Sequence, residues 1–114
     1  MSASFFNKIR VNHLDAETFS KKVEGTIDSV LLDVRTEEEH YSSRIPNSIL
    51  IDIYEASFPN EVLNLDKSKS YFVYCRSGKR SESACLFMMK NGFEKVYNLE
   101  DGIISWNGIL EQDE

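Results

Sequence analysis

Apolar runs alternate along this chain with amphipathic stretches, and this alternation predicts which segments form strands and which form helices. Residues 29–34 and 70–75 are rich in aliphatic, aromatic and β-branched side chains, typical of strands buried on both faces of a sheet. Shorter runs predict three further strands at residues 9–11, 48–52 and 95–99.

Helices are predicted between most of these strands. They cover about residues 15–23, 36–42, parts of 54–65, 79–90 and 102–106. Asp15 can cap the first helix and Gly25 ends it. Thr36 and Glu39 have the spacing of a capping box at the start of the second. Pro59 is expected to interrupt the third.

Strands that alternate with helices favour an α/β fold. We predict a five-stranded, mostly parallel sheet with helices on both faces, joined by right-handed crossovers. A single domain is expected over residues 1–114, with its core at about 9–106 and an acidic, frayed tail at 111–114. In such sheets ligands bind beyond the carboxyl ends of the strands, so the segments that follow the strands are candidate functional sites.

Composition and charge narrow the function classes. Asp and Glu number 19 against 13 Lys and Arg, a net charge of −6, so we expect no nucleic-acid or membrane partner. The 2 cysteines cannot form a disulfide scaffold and no Cys/His cluster has zinc spacing, so no metal is expected. No signal peptide or membrane span is evident, and we expect a soluble, cytoplasmic protein.

The loop after the fourth strand carries the strongest chemical signal. Cys75 ends the strand, and a short strand-to-helix loop can aim several backbone N–H groups at one point. Gly78 permits the positive φ that such a loop needs, and comparable settings lower a cysteine pKa from about 8.5 to roughly 3.5–7.5. Three cations, Arg76, Lys79 and Arg80, would attract a small anionic substrate. A cysteine at a strand end is more commonly a small buried hydrophobe, but this context favours a reactive thiol.

The second cysteine, the two histidines and the glutamate run are each expected to have a structural role or none. Cys85 lies in an apolar helical pattern, which favours a buried structural cysteine over a resolving cysteine of a redox cycle. His13 and His40 are isolated from any motif, and we expect both on the surface without a catalytic role. The glutamates at 37–39 are expected to form a solvated helix start.

A set of short segments spread over nearly the whole chain forms one pattern. The segments are LDVRTEEE at 32–39, RIPNS at 44–48, YCRSGKRS at 74–81, NGF at 91–93 and VYNLEDGI at 96–103, with Trp106. In order and spacing they resemble the rhodanese-like sulfurtransferase domain. Each segment alone is common, whereas the combination is specific.

The resemblance implies a fold, a reaction and a set of site residues. It implies a three-layer α/β/α fold and a nucleophilic Cys75 that takes a sulfane sulfur from thiosulfate or another donor, then passes it from a persulfide to an acceptor thiol or protein. The substrate-binding loop would comprise Arg76, Ser77, Gly78, Lys79 and Arg80. Asp33 and Arg35 match the family's Asp-Val-Arg signature and would support the site. No cofactor is implied.

One segment departs from the family pattern. The family commonly has Gly-His-Ile-Pro-Gly-Ala where this chain has Ser-Arg-Ile-Pro-Asn-Ser at 43–48, so Arg44 replaces a histidine. We expect this difference to affect substrate preference more than the fold.

Two other functions compete with sulfur transfer. A cysteine phosphatase or arsenate reductase needs an arginine six positions after the cysteine to bridge two oxyanion oxygens, and Ser81 stands there, with Arg80 one residue early. The second competitor is a non-enzymatic module that carries a persulfide for a partner protein or regulates without turnover. The sequence does not identify the natural donor or acceptor, so this second alternative stays open.

Overall fold

The computed structural model describes residues 9–113. Residues 1–8, in which we expect no signal peptide, and Glu114 of the predicted tail lie outside it. Its strands are β1 (Asn12–Leu14), β2 (Ser29–Asp33), β3 (Ile49–Leu50), β4 (Ser70–Tyr74) and β5 (Val96–Leu99). Its helices are α1 (Ala16–Gly25), α2 (Glu37–Ser42), α3 (Phe58–Leu63) and α4 (Lys79–Lys90), followed by a short 3₁₀ helix (Ile103–Ser105). In this part of the chain no helix combines the length and apolar character needed to cross a bilayer.

The strands form one sheet in the order β1-β5-β4-β2-β3, and every neighbouring pair is parallel. The predicted α/β class is therefore confirmed, with a sheet that is wholly rather than mostly parallel. Parallel strands place their carboxyl ends at the same edge of a sheet. The segments that follow β2, β4 and β5 accordingly meet at one edge.

The two faces of the sheet pack against different helices. Tyr71, Val73 and Cys75 belong to a core that includes α3 and α4. Phe72 and Tyr74, which alternate with them, belong to a second core that includes α1 and the 3₁₀ helix. Since side chains of a strand alternate between faces, β4 is buried along its whole length, and the prediction of helices on both faces is confirmed.

The capping signals in the sequence are confirmed at two helices. Asp15 Oδ1 accepts the N–H of Thr18 at 2.8 Å, which caps α1. At α2, Thr36 Oγ1 accepts the N–H of Glu39 at 3.2 Å, and the Glu39 carboxylate accepts the N–H of Thr36 at 3.1 Å. This capping box fixes where α2 begins relative to the end of β2.

The strands at the two sheet edges differ from the prediction, and β3 is limited to Ile49–Leu50 rather than residues 48–52. β1 covers Asn12–Leu14 rather than residues 9–11, because its backbone pairs in register with β5. Asn12 also donates its side-chain amide to the carbonyl of Val96 at 3.0 Å. Ile9 is 43% exposed and lies outside the strand. The apolar run therefore predicts the wrong residues for β1, because pairing with β5 determines where this strand begins and ends.

The expected interruption of the third helix by Pro59 is wrong. α3 begins at Phe58 and carries Pro59 in its first turn, where an N–H has no intrahelical partner to bond. The fixed φ of proline suits this position, so Pro59 marks the beginning of α3 rather than a break.

The expectation of a frayed tail is wrong for residues 111–113. Arg44 and Glu111 form an antiparallel bridge with two backbone hydrogen bonds of 2.8 Å. The guanidinium of Arg44 also lies 2.9 Å from the carboxylate of Asp113, whose N–H donates to Tyr41 at 3.0 Å. Arg44 therefore holds the tail against the segment after α2.

Candidate active site

Cys75 follows β4 directly and lies where the polypeptide turns into α4. Its Sγ accepts the backbone N–H of Gly78 at 3.1 Å and the hydroxyl of Ser81 at 3.3 Å. Burial acts to raise the pKa of this thiol, because only 1% of Cys75 is exposed, but hydrogen bonds from Ser81, Gly78 and Ser77 outweigh it. The pKa of Cys75 is consequently lowered, and the sulfur faces a helix start as predicted.

The loop keeps its shape by packing backbone against backbone. Gly78 has φ 102°, and a Cβ there would overlap the carbonyl oxygen of Glu100. Gly102 has φ 73°, and a Cβ there would overlap the carbonyl of Arg76. These two glycines allow the loop after β4 to lie directly on the turn after β5, where the N–H of Ile103 donates to the carbonyl of Cys75 at 2.9 Å.

The three cations of the loop have different environments. Arg80 Nη1 and Nη2 bind the two carboxylate oxygens of Glu39 at 2.8 and 2.9 Å, a bidentate pair. Arg76 and Lys79 are exposed, and neither forms an ion pair with any other residue between 9 and 113. The expectation that the 37–39 glutamates are simply solvated is wrong for Glu39, because this carboxylate ties α2 to the loop.

The Glu39 pair predicts a specific acid dependence of stability. Hydrogen bonds from Arg80 lower the pKa of Glu39 from 4.5 to about 2. A carboxylate with a depressed folded-state pKa stabilises the protein above its unfolded pKa, and this contribution is lost as the pH falls through the folded value. In Glu39→Gln the pair is absent, so we expect the free energy of unfolding to be lower than in wild type at pH 6. The difference should shrink between about pH 4.5 and pH 2 in urea titrations. A constant difference over this range would contradict the assignment.

Asp33 and Arg35 form a buried ion pair beside the site. Asp33 is fully buried, and its carboxylate accepts the backbone N–H of Arg35 at 3.0 Å and two guanidinium nitrogens at 2.9 and 2.8 Å. It also accepts the hydroxyl of Tyr74 at 3.1 Å, and burial together with this charge raises the pKa of Tyr74 to about 12. Arg35 in turn donates to the carbonyl of Ser43 at 2.6 Å. The pair therefore links β2, β4 and the segment after α2.

His40 belongs to this network, and the expectation of a surface position is wrong. It is 6% exposed, and its Nδ1 lies 2.9 Å from Oδ2 of Asp33. His40 follows the N-cap Thr36 by about one helical turn, so its side chain lies on the same side of α2 as Thr36, the side that faces the end of β2. That spacing is the sequence signal that could have located it.

Cys85 has the structural environment that its pattern predicts. It is fully buried in the same core as Cys75, and both cysteines are free thiols. Burial and the neighbouring Cys75 charge raise the pKa of Cys85, the opposite of the shift at Cys75. The structure therefore contains one acidic and one inert thiol.

The groups around the Cys75 sulfur suit an anion rather than a metal ion. Those nearest to it are donors, the N–H of Gly78 and the hydroxyl of Ser81. The carboxylates of Asp33 and Glu39 are already bound to arginines. Between residues 9 and 113, no three His, Cys, Asp or Glu side chains are grouped so that they could hold a metal ion.

Comparison with known proteins places this chain in a family. The family model described as Rhodanese-like domain matches residues 15–108. A sulfurtransferase of Allochromatium vinosum is 35% identical over 96 residues, covering 84% of this chain and 88% of that protein. A tRNA uridine(34) hydroxylase of Cytophaga hutchinsonii is 38% identical over 97 residues, which cover 82% of this chain but only 31% of that protein. A crystal structure of a rhodanese-like domain protein from Staphylococcus aureus superposes with a TM-score of 0.78 at 26% identity, covering 91% of this chain and 100% of that one. This chain belongs to the family of rhodanese-like domains.

Proposed function

We propose that this protein is a sulfurtransferase that moves a sulfane sulfur from thiosulfate, or from another persulfide donor, to a thiophilic acceptor through a persulfide on Cys75. The observation that carries the proposal is the pair of hydrogen bonds from Gly78 and Ser81 to the Cys75 sulfur. They stabilise a thiolate at the start of α4, and the thiolate is the nucleophilic form of cysteine. Membership of a family with sulfurtransferase relatives supports the same reaction.

The first half-reaction is a displacement at sulfur. The Cys75 thiolate attacks the outer sulfur of thiosulfate, a sulfur–sulfur bond forms, and the bond inside thiosulfate breaks. Sulfite leaves with the bonding electron pair, so the summed charge is the same before and after the step. The product is a persulfide anion on Cys75, and its outer sulfur takes over the negative charge of the thiolate.

The loop supplies donors for the anions in this step. Arg76 and Lys79 are exposed beside the nucleophile, and two cations close to the site would attract a dianionic donor to a protein of net charge −6. Ser77 and Gly78 contribute backbone N–H groups that lower the pKa of Cys75, and the same groups are suited to stabilise a persulfide anion. Arg80 is held by Glu39, which fixes the beginning of α4.

The second half-reaction returns the enzyme to its starting state. A cyanide ion or an acceptor thiolate attacks the outer sulfur of the persulfide, and the Cys75 thiolate leaves with the electron pair. Because the donor product departs before the acceptor reacts, the kinetics should be ping-pong. Asp33 and Arg35 support the site indirectly, through the position of Tyr74 immediately before Cys75.

The phosphatase alternative conflicts with the positions of two side chains. Ser81, six residues after the cysteine, donates its hydroxyl to the sulfur and has no guanidinium for an oxyanion. Arg80, the nearest arginine in sequence to that position, uses Nη1 and Nη2 to bind Glu39. Bridging of two phosphate oxygens would require this bidentate pair to break.

Mass spectrometry after incubation with thiosulfate tests the proposal. We expect the Cys75 peptide to gain about 32 Da, the mass of one sulfur atom, and to lose it on addition of cyanide. Repeated turnover of thiosulfate and cyanide would identify an enzyme, whereas a single loading without turnover would identify a persulfide carrier. Hydrolysis of para-nitrophenyl phosphate without any persulfide would contradict the proposal and favour a phosphatase.

A further inference from the structure

Asn98 is a buried polar residue on β5 whose side chain reaches the loop that holds the nucleophile. It is fully buried, and its Nδ2 lies 3.3 Å from the carbonyl oxygen of Gly78. The same Nδ2 lies 3.0 Å from Nδ1 of His13 on β1. One amide group therefore connects β1, β5 and the active-site loop.

The chemistry of these partners fixes the orientation of the amide. The carbonyl oxygen of Gly78 can only accept a hydrogen bond, so the atom that faces it must be Nδ2 rather than Oδ1. The second hydrogen of Nδ2 then points to Nδ1 of His13, which must accept it. A histidine that accepts at Nδ1 carries its proton on Nε2, and Nε2 lies 3.5 Å from the carboxylate of Glu82. All of these contacts agree with one arrangement of protons.

The residue that Asn98 bonds is also the residue that bonds the nucleophile, through the peptide group on its other side. Gly78 donates its N–H to the Cys75 sulfur and accepts the Asn98 amide at its carbonyl. Its φ of 102° and the close backbone of Glu100 restrict the directions in which it can turn. Asn98 therefore bonds Gly78, and the orientation of the Gly78 N–H determines one of the two hydrogen bonds to the sulfur.

An asparagine at position 98 leaves a buried polar atom without a hydrogen bond, which is unfavourable for stability. Among the residues that the structure describes, Asn98 Oδ1 is the buried side-chain oxygen that has no hydrogen-bond partner. A buried acceptor without a partner loses its hydrogen bonds to water on folding, and an apolar side chain of similar size would avoid that cost. The carbonyl of Gly78 would still have a partner, because it also accepts the N–H of Glu82 at 3.1 Å. Packing alone therefore does not explain an asparagine here.

We propose that Asn98, oriented by His13, is a positioning residue for sulfur transfer: it holds Gly78 so that its N–H stays directed at the Cys75 sulfur. This inference rests on the proposed function, because it assigns a role in that reaction. Asn98 does not touch the reacting atoms, and its effect reaches them through Gly78. Removal of the amide should weaken the bond to the thiolate and leave the sheet intact.

The test compares Asn98→Leu with Asn12→Leu. Each variant removes an asparagine amide that donates to a backbone carbonyl, but Asn12 bonds Val96 rather than the loop. The rate at which iodoacetamide alkylates the Cys75 peptide, followed by mass spectrometry over a pH series, reports the thiolate fraction. Arg80 and Cys85, two ionisable groups that interact with Cys75, are unchanged in both variants.

In Asn98→Leu we expect the alkylation midpoint to rise by about half a pH unit or more, because one of several hydrogen bonds to the thiolate is weakened. Below that midpoint, persulfide formation should slow about threefold, in proportion to the lost thiolate. Asn12→Leu should keep the wild-type midpoint, and the thermal unfolding of Asn98→Leu should stay close to that of wild type. A folded Asn98→Leu with the wild-type midpoint and rate would overturn the proposal.

A second variant decides the question if Asn98→Leu does not fold. His13→Phe changes an exposed residue, keeps an aromatic ring and removes the acceptor that orients the Asn98 amide. A smaller rise of the Cys75 midpoint supports the proposal, and an unchanged midpoint contradicts it. Alkylation needs no sulfur donor, so a wild-type protein that forms no persulfide would refute the proposed function separately from this inference.

Discussion

Cys75→Ser should abolish persulfide formation from thiosulfate, with a loss of roughly a thousandfold or more in rate. The sulfur of Cys75 is the acidic thiol of the structure, held by Gly78 and Ser81. A serine hydroxyl at the same place stays protonated and cannot accept a sulfane sulfur as a stable persulfide. The measurement is the gain of mass on the peptide that contains residue 75, together with the rate of thiocyanate formation.

Cys85→Ala provides the matched control for this variant. Cys85 is fully buried and its pKa is raised, so its removal should leave persulfide formation within about twofold of wild type. Alanine is preferred to serine here because a hydroxyl in an apolar core would lack a partner. Persulfide on Cys85, or retained activity in Cys75→Ser, would show that the wrong thiol has been assigned.

Asp33→Asn should destabilise the protein by about 3–5 kcal/mol, the cost expected when one partner of a buried ion pair is removed. The guanidinium of Arg35 would remain buried without its counter-charge. The asparagine amide would also present donors to the donors of Arg35 and Tyr74. Denaturant unfolding of both proteins at one pH measures the difference in the free energy of unfolding.

Asp28→Asn is the control for the loss of charge. Asp28 is exposed and has φ 59°, a conformation that asparagine adopts readily. This variant should stay within about 0.5 kcal/mol of wild type. If Asp33→Asn were equally mild, the network of Asp33, Arg35 and Tyr74 would contribute little, and another explanation for its burial would be needed.

Local signals in the sequence account for the parts of the fold that could be predicted. The capping box of Thr36 and Glu39 involves residues three positions apart, and it locates α2 without knowledge of the rest of the chain. The helix over 79–90 follows from a turn, an apolar stretch and a closing Asn-Gly, and α4 has those bounds. The position of Cys75 between a buried strand and a helix likewise depends only on neighbours in sequence.

The features that could not be predicted depend on partners distant in sequence. Glu39 and Arg80 are 41 positions apart, and only the parallel arrangement of the strands brings them together. β1 is set by hydrogen bonds to β5, at the other end of the chain, rather than by its own apolar residues. Asn98 has no motif of its own, and its role becomes visible only when its amide is seen to meet Gly78.

The burial of the Cys75 sulfur has a consequence for the size of the molecules that can react with it. With 1% of the residue exposed, only slender reagents can contact the resting thiolate, which disfavours mixed disulfides with bulky thiols. Under the proposed function, loading adds a second sulfur about 2 Å beyond the cysteine sulfur. A larger acceptor could then contact the transferable atom without ever touching the cysteine sulfur, so the empty and the charged protein would discriminate between different classes of molecule.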